Sequence, residues 1–126
     1  MKMLLLLRSY TFLAKMDFVM RFGSLQHIHS QVRAAAVTLR ATDRKHDVET
    51  ICHAIDLACA LYVKPVLCLQ RSAATTIVLR RYGWSAEMVI GTQALPFKSH
   101  AWVEVDGRIV NDKPYMHEIY RVLERC

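Results

Sequence analysis

Proline and glycine are scarce in this 126-residue chain, with 3 and 4 copies. So few backbone breakers argue against a linker-rich or collagen-like polypeptide. With 53% hydrophobic and 22% charged residues, the composition also excludes disorder. Long apolar runs are missing too. Runs such as Met3–Leu7 are far short of the ~20 residues a membrane-spanning helix needs. Lys2 stands where a secretory signal would have its basic start. Arg8 ends the apolar stretch too early, however, and no small-residue cleavage site follows. These absences predict a cytoplasmic chain without a membrane span.

Metal-ligand spacings are also lacking: there is no CxxC and no HxxxH. His27 and His29 form an HxH, but no cysteine or carboxylate cluster adjoins them in the sequence. No metal and no cofactor are expected. The four cysteines, Cys52, Cys59, Cys68 and Cys126, read as thiols rather than as a disulfide framework. The net charge of +6 and pI near 9.4 permit an acidic partner. Yet the basic residues are scattered, and the densest spots are the pairs Arg44-Lys45 and Arg80-Arg81. Without a basic stripe and interleaved aromatics, this is a solvated basic surface, and no nucleic-acid partner is expected.

The length fits one domain spanning residues 1–126. Its first half has helical periodicity. Leu4, Leu7, Thr11, Phe12, Met16, Val19 and Met20 recur on one helical face, and Gly23-Ser24 marks a stop and restart. A second helix is predicted over about Ser30–Arg40, using Val32, Ala35, Ala36 and Leu39. A third follows Thr42-Asp43, either of which is a suitable cap. It places Val48, Ile51, Cys52, Ile55, Ala58, Cys59 and Tyr62 on one stripe, which makes Cys52 and Cys59 core thiols. Lys64-Pro65 ends it, and a fourth helix runs from close to Cys68 to Arg81, with Gly83 as a left-handed cap.

Beyond Gly83 the period changes from 3.6 to 2. Glu87–Gly91 is a short strand, Ala94–Ser99 a loop, and His100–Val105 a second strand. Asp106-Gly107 turns the chain into Arg108–Asp112, and Tyr115–Arg125 is expected as a short helix. Helices first and an antiparallel sheet last make an α+β domain, with N-terminal helices packed on a C-terminal antiparallel sheet.

Cys68 differs from the other cysteines because it lies at a helix start. Free backbone N–H groups and the positive end of the helix dipole there favour a thiolate, and the same amides suit a developing oxyanion. A nucleophilic cysteine needs an imidazole within reach, and His100, at the head of the apolar segment His-Ala-Trp-Val-Glu-Val, is the strand-borne candidate. Hairpin geometry supplies the third member. A three-residue loop, Val105-Asp106-Gly107, sets Glu104 opposite Arg108 as an ion pair, Trp102 opposite Val110, and His100 opposite Asp112. Opposed side chains share a sheet face about 5 Å apart, so Asp112 would orient the imidazole. A two-residue loop would put Asn111 on that face instead, and asparagine is also a workable orienter. Arg71 and Glu104 read as structural ion-pair formers, and Trp102 as core.

The blocks Cys68-Leu69-Gln70-Arg71-Ser72, Arg81-Tyr82-Gly83, Val89-Ile90-Gly91 and Pro96-Phe97 carry a resemblance, together with His100–Gly107 and Val110-Asn111-Asp112. Over about Val48 to the C-terminus the chain resembles the transglutaminase-like cysteine peptidases of lasso-peptide biosynthesis, the leader peptidases called the second B protein. The resemblance implies a transglutaminase-like, papain-like core at residues 46–126, preceded by N-terminal helices at 1–45. It implies that Cys68, His100 and Asp112 form a catalytic triad. The implied activity is removal of a leader peptide from a ribosomal precursor. The implied partners are the precursor leader peptide, a separate leader-recognition protein, and an asparagine-synthetase-like lasso cyclase. Because only helices precede the peptidase block, a stand-alone peptidase needing its recognition partner in trans is expected. The rival readings are an acyltransferase that uses an amine in place of water, and a catalytically silent peptide-binding module.

Overall fold

A computed structural model describes residues 2–23, 25–37, 44, 46–94 and 96–126. Helix α1 (Lys2–Phe22) buries Leu5, Ser9, Leu13 and Met16. Leu4 and Leu7, which the periodicity assigns to the buried face, are exposed instead. The helix is apolar on nearly every side, so periodicity alone does not choose which stripe faces inward. Helix α2 (Leu25–Ala34) begins earlier than the predicted Ser30, and Ile28, His29 and Val32 form its buried side. The predicted end, including Leu39 and Arg40, lies outside the described residues, as do Thr42 and Asp43.

Helix α3 (Val48–Leu61) is capped by Asp47, whose carboxylate accepts the Thr50 amide N–H at 2.8 Å. Its buried stripe is Ile51, Cys52, Ile55 and Ala58. Helix α4 (Cys68–Arg81) is buried continuously from Ser72 to Leu79. It ends in a Schellman motif, with Gly83 N–H donating to Arg80 C=O and Trp84 N–H to Leu79 C=O. Gly83 has φ 94°, as that motif requires.

The basic pairs of the sequence have structural work. Arg80 donates to the carbonyls of Val32 and Ala35 at the end of α2, and to those of Ala86 and Cys126. It thereby satisfies carbonyls that the end of α2 leaves open. Arg44 lies 3.8 Å from the centre of the Trp84 ring and donates to Gly83 C=O at 2.9 Å.

Strands β1 (Ala86–Ala94), β2 (Phe97–Val105), β3 (Arg108–Ile109) and β4 (Arg121–Arg125) form an antiparallel sheet in the order β3-β2-β1-β4. The first two strands are longer than predicted. Main-chain pairing continues to Ala94 opposite Phe97, through most of the segment read as a loop; Leu95 is outside the described residues. Asp106 (φ 53°) and Gly107 (φ 76°) form a two-residue turn, with Val105 opposite Arg108 and Glu104 opposite Ile109. Two consecutive left-handed residues match the twist of a hairpin, and this combination displaces the expected three-residue loop.

The predicted helix Tyr115–Arg125 is only one turn, α5 (Met116–Ile119), followed by β4. Leu, Glu and Arg favour a helix, but the open edge of β1 supplies pairing partners and prevails. One hydrophobic cluster unites the helices with Met88, Val103 and Val105 of the sheet. A smaller one on the other face holds Val89, Trp102 and Met116. Among the described residues no helix is long and apolar enough to cross a membrane.

Candidate active site

Cys68 is the first residue of α4 and the only exposed cysteine of the four. The helix start is held firmly. Gln70, buried, donates to Leu13 C=O of α1 at 3.0 Å, and Arg71 pairs with Asp56 of α3. Leu67, the N-cap, contributes no side-chain hydrogen bond. The first main-chain bond of α4 runs from Arg71 N–H to Leu67 C=O, so the amides of Cys68, Leu69 and Gln70 precede the helical ladder. Burial pushes the Cys52 thiol up to about 12, and also raises Cys59 and Cys126.

His100 sits in β2 opposite Gly91 of β1. Its Nε2 lies 2.5 Å from Asp112 Oδ2, while Asp112 Oδ1 accepts the Lys113 amide N–H at 2.8 Å. Asp112 is therefore beside His100 although the turn has two residues. The reason is that β3 stops at Ile109, so the chain leaves the sheet before the ladder register reaches residue 112. With Nε2 engaged, Nδ1 is the ring nitrogen left for proton transfer. Tyr120 stacks on the imidazole at 5.4 Å and 24°, and the Trp102 ring is 6.3 Å away. Gly91 makes this packing feasible. A Cβ there would come within 2.7 Å of Trp102 and 2.8 Å of Tyr120.

Cys68 and His100 line one cleft of about 210 Å³ with Leu69, Ile90, Phe97 and Leu123. No hydrogen bond joins the thiol to the imidazole. The structure thus pairs His100 with Asp112 directly and places Cys68 and His100 on one cleft, without Asp112 in its lining. Asn111, the alternative orienter, faces α4 instead: its Oδ1 accepts Val103 N–H at 2.7 Å and its Nδ2 donates to Ser72 Oγ at 3.4 Å.

Trp102 is fully buried and is core. Its Nε1 donates to Glu104, which also binds Arg125 and His117, each at 2.8 Å. The predicted Glu104–Arg108 pair is not formed, since the turn sets Ile109 opposite Glu104. Sequence reasoning missed Tyr120 and Gly91 as neighbours of His100. Tyr120 fell within the predicted helix, and the glycine signalled a strand end.

Among the described residues, one group brings possible metal ligands together: His29, Glu124 and Cys126, with ligand atoms within 4.8 Å. The carboxylate and cysteine absent from the sequence around the HxH thus arrive from β4 and the residue that follows it. Arg33 already binds Glu124 at 2.5 Å, so the cluster has the character of an ion pair.

A sequence profile described as the transglutaminase-like superfamily matches residues 12–125. The chain belongs to this superfamily. The segment from α4 through Asp112 supplies a helix-start cysteine, a strand histidine and a following aspartate within that match. The chain is also 41% identical over 56 residues to the microcin J25-processing protein McjB of Escherichia coli. That stretch covers 44% of this chain and 27% of the McjB sequence. No solved structure gives a significant match.

Proposed function

We propose that this transglutaminase-like chain is a cysteine peptidase that removes the leader from a lasso-peptide precursor, using Cys68, His100 and Asp112. The observation that carries this reading is the close His100–Asp112 pair, whose histidine lines a cleft that the exposed Cys68 also borders. Similarity to a microcin-processing protein supports peptide processing as the reaction class. His100 Nδ1 takes the proton from the Cys68 thiol, and the thiolate attacks the scissile carbonyl. Asp112, on Nε2, fixes the tautomer and stabilises the imidazolium. Amides at the start of α4 are donors for the oxyanion. His100 then protonates the leaving amine, and water releases the leader from the thioester. Catalytic hydrogen bonds are often long before substrate binds, so the thiol and imidazole draw together as the peptide fills the cleft. The reaction is cytoplasmic in this reading, a separate recognition protein delivers the leader, and an asparagine-synthetase-like cyclase takes the product.

The test is mass spectrometry of a precursor peptide incubated with this protein, with and without the recognition partner. Cleaved leader is expected, faster with the partner because tethering raises the local leader concentration. Cys68→Ala abolishes cleavage, and Asp112→Asn lowers kcat strongly. Cleavage by Cys68→Ala at the wild-type rate overturns the mechanism. An amine-crosslinked product instead of free leader replaces the peptidase with an acyltransferase, and neither product leaves a binding module.

A further inference from the structure

The two-residue turn at Asp106-Gly107 poses a geometric problem. Its register, continued along a regular strand, sets Asn111 opposite Trp102 and Asp112 opposite Ala101. Successive strand residues point to opposite faces, so that register would turn Asp112 away from the face of His100. The chain avoids this by ending the ladder early. Val110 N–H donates to Val103 C=O at 3.0 Å, and a regular antiparallel pair would return a bond from Val103 N–H to Val110 C=O. Val103 N–H goes instead to the Asn111 side chain at 2.7 Å. The backbone beyond Val110 is thereby free to leave the strand, and Asp112 reaches His100 Nε2 at 2.5 Å.

We propose that Asn111 is a positioning residue for the His100–Asp112 pair: its side-chain amide replaces a strand carbonyl and frees Asp112 to meet His100. The role rests on the peptidase reading above. An asparagine suits it because one planar group carries both an acceptor and a donor. Oδ1 closes the ladder on buried Val103, and Nδ2 reaches Ser72 Oγ on α4, one turn beyond Cys68. A single side chain therefore bridges the strand of His100 and the helix of Cys68. Aspartate at this position keeps the acceptor and loses the donor; alanine loses both.

The experiment compares wild type, Asn111→Ala, Asn111→Asp and Asp112→Asn. Three readouts are taken: kcat and KM on a synthetic precursor peptide, hydrogen exchange at the Val103 amide, and the deshielded imidazole N–H proton that His100 donates to Asp112 by NMR. Asn111→Ala is expected to speed Val103 exchange and remove the deshielded resonance. It lowers kcat on the order of 10–100-fold, as a misplaced catalytic group does, with KM nearly unchanged. Asn111→Asp is expected to keep Val103 protected and to retain the resonance. The proposal is overturned if Asn111→Ala keeps both the resonance and kcat. It is equally overturned if Asn111→Asp loses the resonance while Val103 stays protected, and this second arm decides the matter should the alanine variant not fold. Unchanged kcat in Asp112→Asn would instead defeat the orienting role of Asp112, and no cleavage by the wild type would defeat the peptidase reading. In that case exchange and NMR still score Asn111.

Discussion

Replacing Gly91 by alanine sets two physical effects against each other. Glycine within a strand is entropically unfavourable, so alanine would by itself stabilise the chain by about 0.5–1 kcal/mol. Packing opposes that gain. The added Cβ would lie 2.7 Å from Trp102 Cη2, 2.8 Å from Trp102 Cζ3 and 2.8 Å from Tyr120 Cβ. Carbon atoms pack comfortably at about 3.5–4.0 Å, so each neighbour must retreat by roughly 1 Å. Trp102 has little room to do so: it is fully buried, held at Nε1 by Glu104, and edged by the His117 ring at 5.6 Å. Tyr120 is restrained at its main chain by the N–H bond to Met116 C=O. Overpacking of this kind costs about 1–3 kcal/mol, and two restrained neighbours place this site at about 2–3 kcal/mol. Less the backbone gain, the net cost is about 1–2.5 kcal/mol, and about 3–5 °C per kcal/mol for a chain of this size makes the drop in Tm roughly 3–13 °C. Thermal unfolding followed by circular dichroism measures it directly. Because Tyr120 stacks on His100, the surviving folded protein should, on the peptidase proposal, also cleave the precursor more slowly. An unchanged or higher Tm would refute the close approach at Gly91.

Glu104 predicts an acid limb of stability. Burial raises its carboxyl, but hydrogen bonds from Arg125 and Trp102, with the charges of Arg125 and His117, outweigh that and hold it below the usual glutamate range. The stabilisation is therefore present above the unfolded value near 4.3 and is lost as pH falls through the lower folded pKa. Glu104→Gln should cost about 1–3 kcal/mol near neutrality, with the two Tm curves converging in acid; parallel curves would remove the carboxylate from the explanation. Cys52 predicts the opposite limb. Its thiol, raised to about 12 first by burial and then by Asp56, stabilises fully below the unfolded value near 8.5 and loses that contribution as pH climbs toward 12. Cys52→Ala should flatten the alkaline decline, measured by denaturant unfolding at several pH values. Native-state alkylation should mark the exposed Cys68 and spare Cys52 until unfolding.

The readable parts of the fold were those where local chemistry and burial agree. Helix α4 begins at Cys68 and ends before Gly83 as the capping signals indicate, and the α3 stripe of Ile51, Cys52, Ile55 and Ala58 is the buried one. Errors arose where one of the two was silent. Helix α1 is apolar all round, so its pattern did not reveal that Leu5 and Leu13 face the core while Leu4 and Leu7 face water. The tail Arg121–Arg125 has helix-favouring residues, and only the unpaired edge of β1, invisible locally, makes it a strand. His29 had only His27 as a ligand-type neighbour in sequence, yet β4 and the residue after it bring Glu124 and Cys126 to it.

At the candidate site, the pairing of His100 with Asp112 was expected from a loop length that the structure does not have. The expectation nevertheless reached the same residue, for a reason that parity arguments do not contain. Register transmits side-chain facing only along a continuous ladder, and β3 is a ladder of two residues. Past Ile109 the facing of each side chain depends on which groups close the open end. There, the Asn111 amide occupies the position of a backbone carbonyl and turns toward Ser72, while Asp112, one residue on, turns toward His100. The alternation across the sheet edge survives, displaced by one residue through a side chain acting as main chain. In a short terminal strand, a polar residue that can imitate the peptide group therefore governs facing more strongly than turn length does.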